Sequence, residues 1–220
     1  MDTPAPDHNF SVATANPTKT ILHLCADIGS DSWYYQQDPS YKVVQIGQSI
    51  GVENYFPDEP IHGIIANPPC TEFSTANNFA RIGNVESAME VVNHCLRIIR
   101  EANPTFWVIE NPFNGRLKQF LGTPTMIYQP WEYGSPWTKK TALWGNFIKP
   151  AKQYAHYSDV PSLGLYCKPK RSKPGLDCLH KSAINMIPEF YKFRDHIRTD
   201  ADFRSLCSQG FAKAFYTSNP

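Results

Sequence analysis

Gly63-Ile64-Ile65-Ala66-Asn67-Pro68-Pro69-Cys70-Thr71-Glu72-Phe73-Ser74 is the stretch that decides how the chain folds. Gly63 to Ala66 reads as a short buried strand. Proline fixes φ and removes a backbone donor, so Pro68 and Pro69 end that strand in a stiff turn. The turn presents Cys70 at the carboxyl end of a strand, the edge at which open α/β sheets bind ligands. A cysteine there is either a small packing residue or a nucleophile. Forty residues on, Phe106-Trp107-Val108-Ile109-Glu110-Asn111-Pro112 repeats the pattern of apolar run, carboxylate and proline. A thiol and a carboxyl at the ends of two strands form a nucleophile and an acid directed at one cleft.

Outward from this pair, strands alternate with helices. Thr20 to Cys25 reads as a strand, followed by a turn with Gly29 and a helix start at Asp31-Ser32. Tyr41 to Ile46 is a second strand, and His62 to Ala66 a third. Asn84 to Arg100 is the clearest helix: Asn84 caps it, Glu86 suits its first turn, and Arg97 and Arg100 suit its end. Ala88, Val92, Cys95, Leu96 and Ile99 recur at helical spacing, which assigns Cys95 to the core. Thr105 to Glu110 is a strand, Gly115 to Leu121 a short helix, and Thr141 to Phe147 a strand with Gly145 as a candidate bulge. Arg204 to Tyr216 reads as one helix. The expected class is α/β, a doubly wound, mostly parallel sheet with a small irregular appendage. Expected boundaries are an N-terminal arm over 1–18, a catalytic cofactor-binding domain over 19–150, a target-contacting segment over 151–203, and a C-terminal helix over 204–220 that returns to the catalytic domain.

Bulk properties exclude several classes. A net charge of +1 advertises no global attraction to nucleic acid, so any basic surface is local. The basic run Lys168-Pro169-Lys170-Arg171-Ser172-Lys173-Pro174 is either a solvated loop or a phosphate-contacting one. The six cysteines form no CxxC pair, and His156, His180 and His196 show no ligand spacing, so no metal site is expected. Neither a signal peptide nor a long apolar run is apparent, which points to a reducing compartment, free thiols and no membrane partner.

Several motifs, in order, resemble the cytosine-C5 DNA methyltransferases, and among them the short phage-type members. Leu24-Cys25-Ala26-Asp27-Ile28-Gly29-Ser30 stands where that family has its cofactor loop. Asn67-Pro68-Pro69-Cys70 resembles the Pro-Cys nucleophile loop, and Glu110-Asn111-Pro112 the Glu-Asn-Val motif. Tyr133 to Thr141 is similar to the segment that bears Gln-x-Arg-x-Arg, with Lys139 in place of an arginine. Arg204 to Ala212 resembles the closing motif that returns to the cofactor site. The resemblance spans 20–147 and 204–219; the pairing of Pro-Pro-Cys with Glu-Asn-Pro is its specific part.

The resemblance implies a Rossmann-like methyltransferase fold and a cytoplasmic enzyme of a bacterium or a phage-infected host, a monomer or weak oligomer acting on DNA. Cys70 is the implied thiolate that adds to C6 of cytosine, Glu110 the group on N3 and the exocyclic amine, and Lys139 a contact to the base carbonyl or a flanking phosphate. S-adenosylmethionine is the implied cofactor, bound by Cys25, Ala26, Asp27, Ile28, Gly29, Ser30, Gly47, Glu53, Asn67, Pro68, Gln209 and Gly210. Ser74, Arg81, Lys139, Lys140, Lys168, Lys170, Arg171 and Lys173 are the implied nucleic-acid contacts. About 55 residues remain for target recognition, which implies a small reader.

Two departures leave alternatives open. Asp27 replaces a glycine of the cofactor loop, and Gly47 stands where the family has a ribose-binding acid. Either Asp27 turns outward or caps the next helix, or the site takes a cofactor altered at its amino-acid end, because two like charges buried together are costly. A catalytically altered or inactive protein that binds nucleic acid or a variant cofactor is a further alternative. So is an exocyclic-amino methyltransferase, although Cys70 occupies the aromatic position of that motif.

Overall fold

A computed structural model describes residues 18–26, 28–73, 84–164 and 181–220, apart from the side chain of Ser182. The strands are β1 (Lys19–Leu24), β2 (Tyr41–Ile46), β3 (Ile61–Ala66), β4 (Phe106–Pro112), β5 (Met126–Tyr128) and β6 (Thr141–Asn146). The α-helices are α1 (Trp33–Gln37), α2 (Val85–Ala102), α3 (Lys118–Leu121), α4 (Asp200–Ser205) and α5 (Gln209–Ser218).

The strands form one sheet in the order β2-β1-β3-β4-β6-β5. β1 to β4 pair in parallel, and β6 alone is reversed, running antiparallel to both β4 and β5. After β1 the chain turns to one side to make β2, then crosses back to lay β3 on the other side of β1. That reversal of direction opens a crevice beyond the carboxyl ends of β1 and β3. This is the doubly wound, mostly parallel α/β sheet that the alternation of strands and helices implies.

Both faces of the sheet are covered, as a mostly parallel sheet requires. On one face Leu22, Leu24, Ile64 and Ile109 pack with Val92, Cys95, Ile98 and Ile99 of α2. Each such aliphatic side chain taken out of water contributes about 1.5–3 kcal/mol. Asn84 caps α2 by accepting from the Ser87 amide at 3.0 Å, and Asn103 ends it in a left-handed conformation, φ 43°. On the other face Ile21, Ile65, Phe106, Val108 and Leu143 pack against Tyr35 of α1 and Phe211 and Phe215 of α5. A separate small core gathers around Trp137: Ile184, Ile187, Phe190, Phe193, Phe203 and Leu206, all from 3₁₀ turns, α4 and its exit. This is the irregular appendage.

Three expectations change. β4 continues through Asn111 and Pro112, which pair with Ala142 and Thr141 of the antiparallel neighbour, so the proline stands at the strand's last position instead of after it. Gly145 makes no bulge, since the β4–β6 register runs unbroken through it. Glycine is needed there because a Cβ would lie 2.1 Å from the Trp107 carbonyl oxygen. The expected C-terminal helix is two helices, α4 and α5, separated at Leu206-Cys207-Ser208. β5 and the 3₁₀ turn Pro130–Tyr133 had no expectation; both are short and lie among prolines.

Candidate active site

In β4, Phe106, Val108 and Glu110 point to the α5 face, because successive side chains in a strand alternate. β3 places Ile65 beside Val108 on that face, and Asn67 follows two residues on, level with Glu110. β1 places His23 beside Ile65. This face is apolar along its length and turns polar at the carboxyl ends, where His23, Asn67 and Glu110 form a row across three adjacent strands.

The row is hydrogen-bonded. Asn67 Nδ2 donates to Glu110 Oε2 at 3.4 Å and to Asp31 Oδ1 at 3.3 Å. Asn67 Oδ1 lies 2.8 Å from His23 Nε2, and His23 Nδ1 lies 2.9 Å from Ser32 Oγ. His23 and Ser32 are buried.

Cys70 stands beside this row on an anchored loop. Asn111 Nδ2 donates to the Pro68 carbonyl at 3.0 Å. Arg116 donates through its side chain to the Glu72 carbonyl and through its backbone to that of Phe73, both at 2.8 Å. The Phe73 ring is fully buried in the α2-side core. Thus Cys70 itself is exposed while the residues on either side of it are fixed.

The electrostatics link the two expected catalytic groups. Desolvation at the cleft wall raises the Cys70 thiol above its ordinary pKa, and the charge of Glu110 raises it further; Lys139 and Arg204 pull it down. Desolvation likewise raises the Glu110 carboxyl, with Lys139 opposing, Asp31 adding and the Asn67 hydrogen bond lowering. The thiol therefore senses the carboxyl, and the two share Lys139. The Lys139 ammonium donates to the carbonyls of Ser205 and Leu206 at 3.4 and 3.3 Å, which straps the α4–α5 break beside the cleft.

The loop after β1 meets the closing segment. Gly29 takes φ 76°, which lets the chain turn back after Cys25, itself at φ 54°. Ser30 Oγ accepts from the Cys207 amide at 3.0 Å, and Gln209 Nε2 donates to the Ser30 carbonyl at 3.0 Å. Ala26 donates its amide to the Ile46 carbonyl at 3.2 Å, next to Gly47. Pro68 is buried under the thiol loop, and Ile28 packs at the edge of the appendage core. Beneath this junction lies a small pocket of about 20 Å³, room for a water-sized molecule. Asp31 and Glu110 line it together with Ile65, Val108, Leu143, Phe211 and Phe215. Gln209 Oε1 and Ser208 Oγ are buried without a protein partner among the described residues, so acceptor and donor capacity remains at this loop.

Other expected site residues are not drawn in. Cys25 Sγ lies 3.8 Å from Cys95 Sγ, on the α2 side. Glu53 is exposed, with Asn54 beside it. Gly210 is explained by packing, since a Cβ would lie 1.8 Å from the Tyr133 carbonyl oxygen. Lys140 sits 3.9 Å over the Phe113 ring. Asp27, Ser74, Arg81, Lys168, Lys170, Arg171 and Lys173 lie outside the described residues. Sequence reasoning missed His23, Asp31, Ser32 and Arg204. Alternation along β1 marks His23 as a residue of the α5 face, but nothing in the chain's order says that β3 lies next to it.

No protein-family model and no curated protein matches the chain. Among solved structures it is similar to a candidate DNA modification methyltransferase encoded within a prophage (E. coli), at 19% identity and a TM-score of 0.38. That alignment covers 71% of this chain and 51% of the other, so the chain spans about half the length of that structure. Among the described residues no group of three or more His, Cys, Asp or Glu is placed to hold a metal ion, and no helix is long and apolar enough to cross a membrane.

Proposed function

We propose that the chain is a DNA cytosine-C5 methyltransferase. The observation that supports this reading is the hydrogen bond from Asn111, next to Glu110, to the Pro68 carbonyl, which ties the Cys70 loop to the strand that carries the carboxyl. Cytosine C5 is a poor nucleophile. Addition of the Cys70 sulfur at C6 makes C5 an enamine carbon able to attack a methyl group. A Glu110 carboxyl that holds its proton donates to N3 and accepts from the exocyclic amine, and so steadies the charge that builds on the ring. Water then takes the C5 proton, the C6–S bond breaks to release Cys70 as a thiolate, and N3 returns its proton to Glu110. Lys139 favours the thiolate by its charge. S-adenosylmethionine, when bound, supplies the electrophilic methyl; Ser30, Ser208 and Gln209 are the residues proposed to hold it. The target carbon lies inside a duplex, so the base must be flipped out to reach Cys70.

DNA carrying 5-fluorocytosine tests the reading, because fluorine at C5 blocks the final elimination. With S-adenosylmethionine present, the wild type is expected to form a covalent adduct and Cys70→Ser none. Glu110→Gln should slow adduct formation by about 10²–10⁴-fold. Absence of an adduct, or an adduct independent of Cys70, overturns the proposal.

The raised thiol of the free protein favours one second reading, a protein that binds nucleic acid or a variant cofactor without adding to the base. Retained DNA binding without an adduct would select it.

A further inference from the structure

We propose that His23 is a positioning residue: through Asn67 it holds the Glu110 carboxyl and the Asp31 carboxylate on one amide, and this pairing sets how readily Glu110 keeps its proton. The inference rests on the role proposed above for Glu110, and it adds residues that lie outside the motifs of the resemblance.

The geometry leaves the Asn67 amide one orientation. Its Nδ2 faces two carboxyl oxygens, Asp31 Oδ1 at 3.3 Å and Glu110 Oε2 at 3.4 Å, and can donate to both. Turned over, the amide would set its oxygen against both carboxyl oxygens, which repel it when the two groups are charged. With Nδ2 so placed, Oδ1 must accept, and His23 Nε2 stands 2.8 Å away. A neutral His23 therefore carries its proton on Nε2. Its Nδ1 is then the acceptor for the Ser32 hydroxyl at 2.9 Å, nearer than the Gly29 carbonyl that the same hydroxyl reaches at 3.4 Å. Gln36 Nε2 donates to the same hydroxyl oxygen at 2.9 Å and holds it toward the ring. His23 is 1% exposed, so solvent does not compete for either nitrogen. The relay runs from Ser32 through His23 and Asn67 to the carboxyl pair.

Lys139 from the approach to β6, Asp31 from the β1–α1 loop and Asn67 after β3 act on Glu110. The Glu110 charge in turn raises Cys70 on the β3 loop, Tyr128 on β5 and Cys207 at the α4–α5 break. Asp31 and Asn67 pull Glu110 in opposite directions. The Asn67 hydrogen bond favours the charged form of Glu110, whereas the Asp31 charge disfavours it. A packing role for His23 would move neither.

The test needs no catalysis. Protein carrying 13C-carboxyl glutamate is titrated by NMR, with the Glu110 signal assigned by its loss in Glu110→Gln. Asp31→Asn should move the Glu110 midpoint down. Asn67→Ala and His23→Phe should move it up, each by about one pH unit, the size of one hydrogen bond to a charged group. His23→Gln, whose side-chain amide can donate to Asn67, should restore most of the wild-type value. If folded His23→Phe leaves the midpoint in place, the positioning role is wrong. Where that variant does not fold, an unmoved midpoint in Asn67→Ala overturns the relay equally. The adduct assay is separate: an inactive wild type with the expected NMR shifts would sink the methyltransferase reading and leave the relay standing.

Discussion

Asn111 Nδ2 donates to the Pro68 carbonyl oxygen across 3.0 Å, so the strand that carries the carboxyl also ties down the loop that carries the thiol. Neighbouring residues of β4 divide the work: Glu110 points to the α5 face, and Asn111 points to the other face and holds the turn. Asn111→Ala removes the tie. The expected loss of stability is about 1–2 kcal/mol, read by urea denaturation. Adduct formation should fall further than that loss explains, because the Cys70 loop is freed. Full adduct yield in a folded Asn111→Ala would show the tie to be irrelevant to the chemistry.

Lys139 lowers the pKa of both Cys70 and Glu110. Lys139→Met should therefore raise the pH at which Cys70 becomes a thiolate. Alkylation of Cys70 by iodoacetamide, followed across pH by peptide mass spectrometry, reads this directly. Each unit of upward shift slows the reaction roughly tenfold at neutral pH. An unchanged profile would remove Lys139 from the electrostatics of the site.

The Glu110 carboxyl is raised above the ordinary value of 4.5 by desolvation first. A carboxyl raised on folding adds stability that is complete below its unfolded pKa and lost as pH climbs through the folded one. Glutamine does not titrate. Glu110→Gln should thus melt above the wild type at pH 8, and the gain should shrink as pH falls toward 4.5. Thermal denaturation across pH checks the sign; a gain that grows on acidification contradicts it.

Gly210 opens α5 against the Tyr133 carbonyl oxygen, where a Cβ would lie at 1.8 Å. The obstacle is backbone and cannot rotate away. Gly210→Ala should cost at least about 2 kcal/mol and push the start of α5 off Ser30. Equilibrium unfolding indistinguishable from the wild type would mean that α5 docks otherwise.

Much of the sheet was legible before any coordinates. Short apolar runs mark β1, β3 and β4, the first ended by a glycine turn and the other two by prolines, and the capped, amphipathic stretch after Asn84 marks α2, because local propensity and packing agree there. β5 escaped because three residues carry too little periodicity. The α4–α5 break escaped because Leu206-Cys207-Ser208 holds no proline or glycine to mark a stop; Lys139 and Ser30 take up the backbone groups that the break leaves open. In the site, the thiol and carboxyl were legible as motif residues. His23 was not, because its meaning lies in Asn67, 44 residues away.

By itself the order of residues determined which chemical groups this protein owns and which strand ends carry them, since proline, glycine and side-chain alternation act over a few residues. Tertiary structure alone decided that β1, β3 and β4 lie side by side. Only then do three separate strand ends become one hydrogen-bonded row, because bonds near 3 Å depend on which strands are neighbours and on their register.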